Sequence, residues 1–166
     1  DPATHPVANA GPDLAVVTGQ YAMFNASAST DDVGIVSYVW TLVDTDPVTL
    51  EGKFANYSFM TTGIYAVTLN VSDADGNWDT DQTNVTVTAD TVIPISIPGA
   101  NRTAFLGNDV LFNGSRSKDN TGRIVNYTWN FTYQGEMVYL YGAVVSFTFN
   151  ETGVYAVTLN VTDPNG

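Results

Sequence analysis

The chain of 166 residues contains no cysteine. That excludes disulfide bridges, thiolate metal centres and thiol nucleophiles together. Any small domain built from it is held by its apolar core, with help from a bound ion or a neighbour. Basic residues are almost as scarce. Lys53, Arg102, Arg116, Lys118 and Arg123 face seventeen acidic side chains, for a formal net charge of −12. Phosphate backbones are bound by clusters of Lys and Arg, and no such cluster exists here, so nucleic acid and anionic membrane surfaces are excluded as partners. His5 is the single histidine and lies in a terminal extension, which leaves no histidine cluster for zinc. No apolar run approaches the roughly 20 residues that span a bilayer. The opening Asp1-Pro2-Ala3-Thr4-His5-Pro6 lacks the basic and apolar regions of a signal peptide.

What the chain has instead is a repeat. At a shift of 88 residues, Pro6-Val7, Gly11, Gly19 and Phe24-Asn25 fall on Pro94-Ile95, Gly99, Gly107 and Phe112-Asn113. At 89, Ile35-Val36-Ser37-Tyr38-Val39-Trp40 falls on Ile124-Val125-Asn126-Tyr127-Thr128-Trp129. At 90, the ten residues from Thr62 to Val71 match those from Thr152 to Val161 with one difference, Ile64 against Val154. The chain is therefore a duplication, with units at 1–90 and 91–166.

Inside each unit the apolar period is two. Tyr65, Val67, Leu69 and Val71 alternate with Ala66, Thr68, Asn70 and Ser72. Val36, Tyr38, Trp40 and Leu42 alternate with Ser37, Val39 and Thr41, and Val125, Tyr127, Trp129 and Phe131 with Asn126, Thr128 and Asn130. Such alternation predicts strands with one face in a core and one in water. Many short strands separated by turn residues predict an all-β sandwich. Trp40 and Trp129 are expected as core residues, and Tyr65 and Tyr155 as tyrosines whose hydroxyls tie down a corner.

The runs Phe24-Asn25-Ala26-Ser27-Ala28-Ser29-Thr30-Asp31-Asp32, Ile35 to Trp40 and Thr62 to Asp73, with their counterparts in the second copy, resemble the PKD (polycystic kidney disease) domain. The usual Trp-Asp-Phe-Gly-Asp-Gly run is replaced by Trp40-Thr41-Leu42-Val43-Asp44 and Trp129-Asn130-Phe131-Thr132, a variant similar to PKD repeats of archaeal surface proteins. The resemblance implies two Ig-like seven-stranded sandwiches that space, stiffen or adhere outside the cell. The segment 82–88 reads as the last strand of the first unit, with Val85 and Val87 inward. The second unit stops at the matching turn, so its last strand is missing from this sequence. Either a continuation of the chain or a strand from another copy would complete it.

Ten of the fifteen asparagines sit in Asn-x-Ser/Thr sequons, where about three are expected by chance, and such sequons are N-glycosylation acceptors. They are Asn25, Asn56, Asn70, Asn84, Asn101, Asn113, Asn126, Asn130, Asn150 and Asn160. Asn70, Asn84, Asn126, Asn130 and Asn160 fall on the polar phase of their strands, where a glycan meets solvent. For metal, the resemblance implies a calcium site at Asp31-Asp32 and at Asp119-Asn120, and Asp90 in the connecting segment is placed to bridge a boundary site. The run Asp73-Ala74-Asp75-Gly76-Asn77-Trp78-Asp79-Thr80-Asp81 imitates a calcium loop, but lacks its closing Glu and sits where a hairpin must turn. Trp78, large and apolar at that turn, is the expected contact for a neighbour. No nucleophile motif, phosphate loop or desolvated carboxylate pair is present, so no catalysis is expected. The expected function is a non-catalytic structural or adhesive module of an extracellular surface layer, filament or stalk. Its partners would be copies of itself, adjoining surface domains and N-linked glycans. A carbohydrate-binding or spacer module of a secreted polysaccharide-degrading enzyme is the alternative.

Overall fold

A computed structural model describes residues 5–166; Asp1–Thr4, the start of the terminal extension, lie outside the described residues. The chain forms two compact units, Asp1–Asp90 and Thr91–Gly166. Both are all-β.

The first unit has seven strands: β1 (Leu14–Val17), β2 (Tyr21–Asn25), β3 (Ile35–Asp44), β4 (Asp46–Glu51), β5 (Phe54–Ser58), β6 (Gly63–Asp73) and β7 (Trp78–Thr88). One sheet runs β1-β7-β6-β3-β4 and the other is the β2-β5 pair. Every ladder is antiparallel except the first, where Leu14 to Val17 run parallel to Val85 to Thr88. Phe24 from the small sheet lies against Trp40 from the large one, ring centroids 5.3 Å apart. Around this pair Ala22, Leu42, Phe59, Val67, Leu69, Val71, Val85 and Val87 form a dry core. All but Phe59, which follows β5, are on the inward phases of their strands, so the period-two pattern and the buried face coincide.

The expected inward phase fails at matching points of the two copies. Val36 is 64% and Val125 47% exposed; in the first copy the β3–β6 register slips between Ile35 and Ser37. A bulge adds one residue and turns the side chain before it to the other face.

The tryptophan also fixes a corner. Trp40 Nε1–H donates to the Gly52 carbonyl at 3.0 Å, while Gly52 N–H donates to the Tyr38 carbonyl at 3.0 Å. Gly52 has φ of +110°, a conformation that favours glycine. The second unit repeats the device: Trp129 Nε1–H bonds the Gly142 carbonyl at 3.1 Å, and Gly142 N–H the Tyr127 carbonyl at 3.0 Å. The tyrosine corners form as well. Tyr65 OH donates to the Thr61 carbonyl at 2.8 Å and Tyr155 OH to the Glu151 carbonyl at 3.0 Å.

The second unit has β8 (Asp109–Asn113), β9 (Asn126–Tyr133), β10 (Glu136–Tyr141), β11 (Val144–Thr148) and β12 (Thr158–Thr162). They form a β10-β9-β12 sheet and a β11-β8 pair. Phe112, Trp129, Phe131, Val110 and Leu159 make its core. Among the described residues β12 pairs with β9 and has no neighbour on its other side. β6 is eleven residues long and β12 five. Val67 and Val71 are fully buried, whereas their counterparts Val157 and Val161 are half-buried.

Replacing Trp40 with Ala should cost the first unit about 3–5 kcal/mol, much of the ~5–15 kcal/mol available to a domain. Differential scanning calorimetry should show its transition lost or shifted far down while the second unit's persists.

Candidate functional site

The functional candidates are all surface features, and their geometry follows from the strand phases. None of the ten sequon asparagines is buried. Asn25, Asn56, Asn84, Asn101, Asn113, Asn126, Asn150 and Asn160 are exposed, and Asn70 and Asn130 are half-buried. Some carry local structure too. Asn25 Oδ1 accepts from Ser27 N–H at 2.8 Å, and Asn113 Oδ1 accepts from Ser115 N–H at 3.0 Å; both close turns at strand ends. Asn126 Nδ2–H donates to Thr162 Oγ1 across the β9–β12 ladder.

The acidic pairs divide by direction. Asp32 and Asn120 are exposed, while Asp31 and Asp119 are half-buried. Asp31 Oδ2 accepts from Val33 and Gly34 N–H at 3.2 and 2.7 Å, and Asp119 Oδ2 accepts from Thr121 N–H at 2.8 Å and from its hydroxyl. In each case Oδ1 is buried and has no hydrogen-bond partner among the described residues. A carboxylate oxygen of Asp163 comes within 4.8 Å of one from Asp119. Asp163, just past β12, is the neighbour that sequence reasoning did not pair with Asp119. Their approach was hidden because it depends on the β9–β12 pairing, across 44 residues.

The imitation calcium loop is divided between two structural tasks. Asp73 caps the β6–β7 hairpin: Oδ1 accepts from Asp75 and Asn77 N–H, both at 2.9 Å, and Oδ2 from Asn77 Nδ2 at 2.8 Å. Gly76 takes φ of +88° in the turn. Asp79 and Asp81 lie further along, on the inward phase of β7. Their carboxylates accept from the backbone N–H groups of Ala8 and Ala10, both at 2.8 Å. Thr83 Oγ1 donates to the Pro12 carbonyl at 2.8 Å, and Asp13 Oδ1 accepts from Asn84 N–H at 2.8 Å. Four side-chain bonds thus stitch the N-terminal segment along β7. Trp78 opens that strand, 61% exposed.

A shallow groove of about 430 Å³ on the outer face of the first unit's large sheet is lined by Thr41, Val43, Thr49, Ile64, Thr68 and Gln82 among others. No carboxylate, imidazole or serine hydroxyl lines it, so it offers no acid–base pair.

Residues 3–88 and 91–166 each match the PKD domain family. The chain belongs to that family, as two PKD domains in tandem. Among proteins similar to it, the mouse Dyslexia-associated protein KIAA0319-like protein is 39% identical over 170 residues, which is 95% of this chain and 16% of the relative. Exoglucanase B of Cellulomonas fimi is 30% identical over 168 residues, 93% of this chain and 14% of the relative. The chain therefore spans about a sixth or less of the length of these proteins. A solved PKD domain from the KIAA 1837 protein covers 55% of this chain and 95% of its own, with 24% identity and a TM-score of 0.41. PKD domains are found in extracellular and cell-surface proteins and are typically non-catalytic accessory domains. Among the described residues no helix is long and apolar enough to cross a membrane.

The Asp73 cap carries a pH signature. Its carboxyl is held below the usual 3.8, first by the Asn77 side chain and then by the Asn77, Asp75 and Gly76 backbone, against the opposing effect of burial. A lowered folded value means the stabilisation is complete above the unfolded value and is lost as pH falls through the folded one. The melting temperature of the first PKD domain should therefore fall as pH drops below about 4. Asp73→Asn should be less stable at neutral pH and lose less on acidification; an unchanged acid slope would remove Asp73 as the cause.

Proposed function

We propose that this pair of PKD domains is a non-catalytic structural and adhesive module of an extracellular cell-surface protein, N-glycosylated on its outer faces and assembling with copies of itself or adjoining surface domains. The observation that carries this reading is the partition of the strands. The inward phases of the central strands fill cores around Trp40 and Trp129, and every sequon asparagine lies outside those cores. A filled sandwich offers no desolvated cleft for chemistry, so function falls to the surface.

Calcium fits the acidic loops. A hard cation takes carboxylate oxygens, and Asp31 and Asp119 each hold one buried oxygen that no donor among the described residues satisfies. In the second domain Asp119 and Asp163 would be its ligands, and its charge would relieve their mutual repulsion. In the first domain Asp31 would contribute its Oδ1.

Peptide mass spectrometry of native material should find hexose on several of the ten sequons; bare asparagine at all of them would end the glycosylation reading. For calcium, adding the ion to chelator-treated protein should raise the second domain's melting temperature, by the equivalent of about 2.7 kcal/mol at a hundredfold excess over Kd. Asp119→Asn should abolish the shift. Identical melting curves with calcium and with EDTA would exclude the site.

A further inference from the structure

Met137, Tyr139 and Tyr141 occupy the outward phase of β10 and are 51%, 54% and 74% exposed. They form an apolar row at the edge of the β10-β9-β12 sheet, next to an open ladder. A row of this kind invites edge-to-edge association unless something covers it.

The register shows what lies beside it. Tyr139 is directly opposite Asn130 on β9, with Met137 opposite Thr132 and Tyr141 opposite Thr128. Asn130 and Thr132 are the first and third residues of one sequon. Directly opposed residues on one face have Cβ atoms about 4.5–5.5 Å apart, and diagonal ones about 7–8 Å. The Asn130 amide therefore stands beside the Tyr139 ring, with Tyr141 and Met137 one step away on either side. A pyranose joined to Asn130 Nδ2 has only one side chain's width to cross. Its apolar C–H face is complementary to the electron-rich face of an aromatic ring.

The duplication supplies an internal comparison. In the first domain the place of Asn130 is taken by Thr41, opposite Thr49. By the same pairing Glu51 and Pro47 stand where Tyr141 and Met137 do. The copy without a sequon on the central strand has no aromatic residue on the edge strand, and the copy with the sequon has two. Sequon and ring occur together.

We infer that the glycan on Asn130 folds back over β10 and stacks on Tyr139, with its outer sugars extending over Tyr141 or Met137, so that the sugar is a packed part of the second domain. This rests on the glycosylation reading above and goes beyond it by giving one glycan a docking surface on the protein.

The test uses the whole chain, made by a host that glycosylates it. The variants are Asn130→Thr, Tyr139→Thr and the double substitution. The first domain carries Thr at both positions, so the fold accommodates each. Mass spectrometry first establishes occupancy of Asn130. Either single substitution should lower the second domain's melting temperature by about 4–8 °C, the shift a small domain shows on losing one such contact, and the double should be no worse than one single. Nuclear Overhauser contacts between sugar protons and the Tyr139 ring should be present. Absence of sugar at Asn130 overturns both this inference and the glycosylation reading at that site. Sugar at Asn130 with additive substitutions and no ring contacts overturns the stacking alone. Loss of retention on an insoluble β-glucan in Tyr139→Thr, with the ring free of the attached sugar in the parent, also overturns it, in favour of an external polysaccharide on the same tyrosines.

Discussion

Each PKD domain depends on one requirement: a tryptophan indole must be buried whole, and its single N–H must still find an acceptor. Burying the ring supplies a large share of the apolar area available to a domain of this size, but an orphaned donor in that core would forfeit much of it. The solution is the same in both copies. A glycine carbonyl at the β4–β5 turn, or the β10–β11 turn, comes down onto the indole nitrogen, while the glycine amide ties back to the strand two residues before the tryptophan. The turn's path is thereby tied to the core. So is the neighbouring chain: a Cβ on Gly114 would lie 2.7 Å from Leu159 and 3.1 Å from Trp129. The first domain carries Ala26 at that place, fully buried. The two interiors share a plan and differ at this place by a methyl group.

From that fixed centre the surface chemistry follows by parity. Once Trp40 and Trp129 point in, their neighbours in β3 and β9 point out, and the outward set is rich in Asn, Thr and Ser. This is why a protein with a well-filled interior and few charged side chains presents so many sites for sugar. The same parity places an apolar row on the outside of β10, because Val138 and Leu140 take the inward phase. Sheet geometry then sets that row against a sequon.

Much of this was legible before any coordinates. The duplication, the period of two, the core tryptophans, the tyrosine corners, the hairpin at Gly76 and the solvent-facing sequons each rest on local pattern, and local pattern is what a sequence displays. What escaped depends on pairing between distant strands. The bulge that turns Val36 outward arises where β3 meets β6. The approach of Asp163 to Asp119 needs β12 beside β9. Asp79 and Asp81 had no role in the sequence pattern, because their partners are the backbone amides of Ala8 and Ala10, 71 residues earlier. The opposition of Asn130 and Tyr139 likewise exists only once β9 and β10 are in register.

The parallel pairing of β1 with β7 has a mechanical consequence. These strands lie at opposite ends of the first domain's sequence yet side by side in its sheet. A pull applied at the two termini acts along the strands in opposite directions, so their hydrogen bonds are loaded together, in shear. A hairpin pulled from its open end gives way one bond at a time. The stitches from Asp79, Asp81 and Thr83 to the N-terminal segment extend the sheared length beyond the ladder itself. In a domain wired in this way several bonds must break at once before the chain can lengthen.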